Sequence, residues 1–308
     1  MKYEIKSTAE YIECLKDLSK NGIDGYRNEK TNLYYRGEPE DYGKTAGLPG
    51  IARGNRLEGN NESELFRECE RRLSHEFVNC KTTFEKLVLM QHYGIPTRVL
   101  DISIDSLQAL FFALYHDPKY PYDDKKDSVV LVYEVPKDSI RNWHSDVVSV
   151  ISNIAVYRFD DDALSVKDMS YSDDQWGREK FNEEDSIRHL IHEIKAEKPY
   201  FSNWIKKDNM ESIYCVHPLL DNPRIRSQQG AFLLFGIDGD KHHLATLESN
   251  KDPKIRMTKI RIPHYAKTQI REELNLLGKT IDTVYPDWTG VSDYFARFYD
   301  KKVEEYYR

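Results

Sequence analysis

Residues 105–116, DSLQALFFALYH, are apolar almost all the way round a helix. A helix on a protein surface keeps one polar face against water, so a helix without one is buried. Its neighbours in the chain read as strands. Before it, Gly94 and Pro96 punctuate a strand around residues 98–102. After it, a charged, proline-containing turn (residues 117–127) leads to SVVLVYEV, residues 128–135, the clearest strand in the chain.

The remaining elements follow from spacing and punctuation. Ser7 caps an amphipathic helix over residues 7–20, which Asn21-Gly22 ends. NLYYRG, residues 32–37, is a short aromatic strand, and a polar, Gly-rich connection runs to about residue 60. Helical spacing predicts one long helix over 62–80 and another over 83–92. Residues 160–210 are acidic and helical in pattern. RIRSQQGAFLLFGI, residues 224–237, ends in a buried strand, and 254–262 is an alternating strand. A helix over 268–277 stops at Gly278. Helices and strands mix without a βαβ rhythm, which indicates an α+β fold. The boundaries expected are one domain over residues 1–308. Its core spans 28–135 and 223–262, with a helical insertion over about 136–222 and a helical tail over 263–308.

With 308 residues, 39% of them hydrophobic and 12% aromatic, the chain has enough apolar material for a core, which excludes intrinsic disorder. Its 52 acidic residues against 45 basic ones give a net charge of −7. That balance argues against a generic nucleic-acid-binding surface, although KIRMTKIRIPHYAK, residues 254–267, is a local basic strip. No apolar run reaches the roughly 18 residues of a membrane span, and the first residues lack a signal-peptide pattern, so a cytoplasmic location is expected. Cys14, Cys69, Cys80 and Cys215 are far apart and read as reduced thiols. In HLIHE, His189 and His192 stand one helical turn apart, but the order differs from H-E-x-x-H and no third ligand follows; no metal is expected.

Four segments combine turn residues with groups that bind or polarise. In Tyr34-Tyr35-Arg36-Gly37-Glu38, an arginine at a strand end offers a planar donor fork suited to phosphate or carboxylate; an internal ion pair is the alternative. In the second, residues 91–98 (QHYGIPTR), His92 can exchange protons near neutral pH, or it packs the corner with Tyr93 at a Gly94 helix cap. The third, Leu100-Asp101-Ile102-Ser103, puts a carboxylate and a hydroxyl on one strand face. The alternative there is that Asp101 pairs with Arg98, or that Ser103 or Asp105 caps the next helix. The fourth, residues 226–232 (RSQQGAF), brings Gln228 and Gln229 to a strand entry.

Together, YYRGE, QHYGIPTRVLDIS, SLQALFFA and RSQQGAF resemble the FRG domain, which is named for its aromatic-Arg-Gly motif. The C-terminal segment IDTVYPDWTGVSDYF resembles the tail of such proteins. The order of arginine strand, hydroxyl-bearing strand, helix and polar strand entry is also similar to ADP-ribosyltransferases. That likeness implies a mixed, mostly antiparallel sheet and NAD as cofactor.

Carried over position by position, the ADP-ribosyltransferase likeness gives Arg36 the NAD-holding role. Asp101-Ile102-Ser103 takes the place of the Ser-Thr-Ser strand, and Gln228 or Gln229 stands near the late glutamate. An amide there supplies no negative charge, so Asp101 or Glu38 is the carboxylate candidate. The resulting expectation is a cleft in which Tyr35, Arg36, Gly37, Tyr93, Arg98, Ser103 and Gln228 bind the nucleotide. His92, Asp101 and Gln229 would do the chemistry. Arg36 and Arg98 would clamp the pyrophosphate. The activity expected is that of a divergent ADP-ribosyltransferase or NAD-consuming effector acting on a macromolecular target, of the kind that arms bacterial defence or toxin systems. The other reading is a non-catalytic ligand- or partner-binding module on the same scaffold.

Overall fold

The first helix, α1 (Thr8–Asn21), starts where Ser7 Oγ accepts a hydrogen bond from the Glu10 amide and stops at Gly22, whose φ of 69° suits glycine. The computed structural model describes residues 3–25, 30–58, 61–114, 125–158, 164–172, 174–219, 230–250 and 254–285. Strand β1 (Tyr3–Glu4) precedes α1, and β2 (Thr31–Glu38) carries the YYRGE segment. Two helices follow, α2 (Asn61–Arg72) and α3 (Thr83–His92); a capping box between Thr82 and Glu85 opens α3. Strand β3 (Val99–Ser103), helix α4 (Ser106–Leu114) and strand β4 (Ser128–Pro136) complete the first half.

The single helix expected over 62–80 is shorter than its apolar spacing suggested. After Arg72 the chain turns, with Glu76 and Phe77 donating to carbonyls three residues back (Leu73 and Ser74). Phe77 still reaches the core, so the periodic apolar position survives without the helix.

The second half contributes β5 (Ile140–Asn142), α5 (Asp146–Ile154), α6 (Gln175–Glu183), α7 (Asp185–Glu197), α8 (Lys207–Met210) and β6 (Ile213–His217). Then come β7 (Gly230–Phe235), β8 (Ile237–Asp238), β9 (Asp240–Leu244) and β10 (Arg256–Ile262), with a closing helix at Lys267–Leu276. Eight strands form one sheet in the order β1-β10-β4-β2-β3-β7-β6-β5, while β8 and β9 form a separate hairpin. Pairing is parallel only at the two edges, β1 with β10 and β5 with β6, and antiparallel elsewhere. The architecture is therefore α+β with a mixed, mostly antiparallel sheet. Residues 136–222, read from sequence as helical, do hold α5 to α8, but they also supply β5 and β6 to the sheet edge. Those two strands span three and five residues, too short to stand out from their surroundings.

The sheet is covered on both faces. On one, α4 packs over Val130, Val132, Ile260 and Ile262 and is itself covered by Tyr11 and Leu18 of α1 and by Ile270 and Leu274 of the closing helix. This double cover explains a helix without a polar face: six of its nine residues are buried. On the other face, Tyr34, Leu100, Ile102, Leu131, Tyr133 and Leu233 lie with Ala46 and Ile51 of the connection after β2. The register pairs Tyr34 with Tyr133 and Arg36 with Leu131, so Tyr34, Arg36 and Glu38 all belong to this second face. Among the described residues, no helix is long and apolar enough to cross a membrane.

Candidate functional site

The β2 and β3 strands pair only at Tyr35 and Ser103. Next to that single rung Arg36 takes over the role of the ladder. Its Nη1 donates to the Asp101 carbonyl at 2.9 Å and lies 2.8 Å from Asp101 Oδ1. Its Nε donates to Glu38 Oε1 at 3.3 Å. Nη2 has no partner among the described residues, and the side chain keeps a narrow window to solvent.

Around this ion pair sit the groups that position it. Gln91, on α3, donates to Asp101 Oδ1 at 3.3 Å and accepts from Thr97 Oγ1 at 3.3 Å. Glu38 is buried, and its Oε1 also accepts the Gly47 amide at 3.0 Å. Glu38 Oε2 and the Tyr133 hydroxyl are both buried without a hydrogen-bond partner. Such groups are uncommon in native interiors. The Asp101 side chain, by contrast, is 51% exposed, and its Oδ2 has no partner among the described residues.

Charge follows this geometry. Burial pushes the Asp101 carboxyl up, but the Arg36 charge and hydrogen bond outweigh it and hold the group below the usual range. Burial likewise lowers Arg36, whereas Asp101 and Glu38 raise it further, so the guanidinium stays charged. Desolvation raises the Tyr133 phenol, which remains neutral. The site thus presents one ionised, half-exposed carboxylate with one oxygen held in place and the other open to a ligand.

Other residues expected at the site have different surroundings. Arg98 is wholly buried, with Nε and Nη2 on the Glu62 carboxylate and Nη1 on the Phe235 carbonyl. Every guanidinium nitrogen is committed, so Arg98 cannot clamp a pyrophosphate; nor does it pair with Asp101, whose partner is Arg36. Gly37 faces a helix, not a ligand: a Cβ there would stand 1.9 Å from the Ala109 carbonyl oxygen of α4. Tyr35 packs on the α4 side of the sheet. Ser103 is buried and accepts the Asp105 amide, while Asp105 Oδ1 accepts the Leu107 and Gln108 amides as the α4 cap. Half-buried His92 follows Gln91 on the last turn of α3, edge-on to exposed Tyr93. Gln228 and Gln229 lie outside the described residues.

Sequence reasoning missed Gln91, Thr97 and Tyr133 around Asp101, and Glu62 as the partner of Arg98. It also missed His217, at the end of β6, whose Nε2 lies 2.8 Å from the Tyr34 hydroxyl. Burial lowers the His217 imidazole, and it pushes the thiol of nearby Cys215 up to about 12. The one available signal was a histidine closing a strand-like run, IYCVH. All four cysteines are free, and among the described residues no group of three or more His, Cys, Asp or Glu is arranged to hold a metal.

The fold and site define an α+β protein with a carboxylate–guanidinium pair between the central strands β2 and β3. Residues 31–120 match the family model of the FRG domain. That stretch is an FRG domain, and it runs from β2 through α4, the segment that supplies Arg36, Gln91 and Asp101. Neither the curated proteins nor the solved structures include a match to it.

Proposed function

We propose that this FRG-domain protein binds a nucleotide of the NAD type at the Arg36–Asp101 pair, with Asp101 as the carboxylate that meets ribose hydroxyls. The observation that carries the reading is the open Oδ2 of an ionised, half-exposed Asp101 whose other oxygen is anchored by Arg36 and Gln91. A carboxylate so held accepts hydrogen bonds from a diol without having to reorganise. Arg36 Nη2 adds one donor for a phosphate oxygen. The donor set therefore suits one ribose-phosphate unit; with Arg98 committed to Glu62, the remainder of a dinucleotide must rely on other contacts.

When bound, NAD supplies the glycosidic bond to nicotinamide that a transferase breaks. Toward that end Asp101 would stand in for the late glutamate of ADP-ribosyltransferases, and His92, one residue after Gln91 on α3, would be the general acid or base. A macromolecular acceptor completes this reading. The alternative, a non-catalytic binding module, is favoured by one observation: the Arg36 charge is already matched by both Asp101 and Glu38.

Calorimetric titration with NAD, with nicotinamide release followed in parallel, tests both. Binding by the wild type that is lost in Arg36→Ala and weakened at least tenfold in Asp101→Asn is expected. Release that stops in Asp101→Asn supports an NAD-consuming enzyme, and binding without release supports the module. No heat with NAD at millimolar concentration removes the nucleotide reading.

A further inference from the structure

The region between β5 and β6 holds a polar cavity of about 280 Å³, apart from the Arg36–Asp101 pair. Its wall includes Ser170, Ser172, Arg178, Lys206, Lys207 and Asp208, so three cations face one carboxylate. Arg178, on α6, is half-buried, and its guanidinium lies 5.7 Å from the centroid of the Trp204 ring. Its Nε is buried without a hydrogen-bond partner, and its guanidinium makes no ion pair among the described residues. Asp174 feels the Arg178 charge, but its carboxylate is engaged by the Gly177 amide at 2.8 Å and the Ser172 hydroxyl at 2.9 Å. The Lys206 ammonium has no hydrogen-bond or ion-pair partner among the described residues either; only the Lys206 carbonyl is used, by the Asn209 and Met210 amides. Lys207 is fixed in the wall, donating to the Met169 carbonyl at 2.9 Å and the Lys167 carbonyl at 3.4 Å.

The wall is closely packed where α6 begins. A Cβ on Gly177 would stand 2.1 Å from the Ser172 carbonyl oxygen, so the first turn of α6 presses directly on the 170–172 segment. An arginine fork already oriented on an aromatic ring, beside an uncommitted ammonium, is the donor set that phosphate oxygens satisfy. The volume sits near the low end of small-molecule pockets, about 300 Å³, which suits a phosphate with a small organic group but not a dinucleotide.

We propose that this cavity is a binding site for a phosphate monoester, with Arg178 and Lys206 as its anion-holding groups. The site is independent of the nucleotide reading at Asp101, and its test is separable from that one. Inorganic phosphate and AMP are titrated into the full chain by calorimetry. The variants are Arg178→Met, which keeps the aliphatic packing on Trp204, Lys206→Ala, and Arg36→Ala as the control for the other site. Saturable binding that falls about tenfold or more in Arg178→Met and Lys206→Ala, and is unchanged in Arg36→Ala, is the expected result. Tighter binding of AMP than of phosphate means that the organic group contributes; equal binding means that the phosphate alone is read, and both uphold the site. Absence of saturable binding at millimolar concentration overturns the proposal. So does binding untouched in an Arg178→Met protein whose circular dichroism and melting match the wild type, or binding lost in Arg36→Ala alone.

Discussion

Gly37 carries the closest approach between helix and strand near the candidate site. Its missing Cβ lets the Ala109 carbonyl of α4 rest against the β2 backbone, so the glycine of the aromatic-Arg-Gly motif serves packing while the arginine beside it serves charge. Overpacking against backbone has no flexible side chain to absorb it. Gly37→Ala should therefore lose about 3 kcal/mol or more, read as a lower urea midpoint at unchanged slope. Asp101 behaves differently, because it is half-exposed and its folded carboxyl titrates below the ordinary value. A depressed carboxyl stabilises the fold fully above its unfolded pKa of about 3.9 and loses that contribution as pH falls through the folded value. Asp101→Asn should accordingly lower the urea midpoint at pH 6, and the gap to wild type should narrow as pH drops below about 4. A gap that stays constant with pH would mean that the Arg36–Asp101 charge pair adds nothing to stability.

At the scale of elements, Arg98 and Glu62 tie α2 to β3, and the Phe235 carbonyl brings in β7. Removing one partner of a buried pair strands the other charge, so Glu62→Gln should cost about 3–5 kcal/mol in unfolding free energy. Replacing both, as Glu62→Leu with Arg98→Met, should recover most of that loss, since well-packed apolar pairs often match a buried ion pair. The double variant should also bind NAD with the affinity of the wild type, because Arg98 offers no donor to a ligand. Loss of NAD binding in a folded double variant would return Arg98 to the site. The local signals for α1, α3, β4 and β10 were plain in the chain, whereas the ion pair that joins α2 to β3 was not. Arg98 and Asp101 are three residues apart and opposite in charge, so spacing offered their pairing as an alternative to a ligand role. Successive side chains of a strand leave on opposite faces, and the partner each one met was decided by what packed there.

For the whole molecule, the order of strands sets the order of local stability. Strand β4 lies between β10 and β2, with Val129 to Tyr133 wholly buried and helices or loops on both faces. Edge strands β1 and β5 have two and three residues and one neighbour each. Hydrogen exchange should find the amides of residues 129–133 opening only with global unfolding, and those of β1 and β5 opening first. Exchange at β5 as slow as at β4 would mean that the 136–222 region folds as one unit with the sheet centre. That region has its own apolar cluster, around Ile154, Phe181, Ile187 and Leu190, which fits earlier opening.

The amino-acid sequence by itself determined the mixed α and β character, the buried α4, the capped ends of α1 and α3, and the motif that marks the FRG domain. Each depends on residues within one or two turns of one another, where spacing, caps and glycine conformations act directly. It also singled out Arg36 and Asp101 as chemistry-bearing residues. Only the tertiary structure decided which of the chemistry-bearing segments converge. It joined Arg36, Asp101, Gln91 and Glu38 from two strands and a helix, turned Arg98 inward to Glu62, and set His217 against Tyr34 from three strands along the sheet. These contacts link residues up to 183 positions apart. They are fixed by strand order and face, properties that appear only when the sheet is assembled.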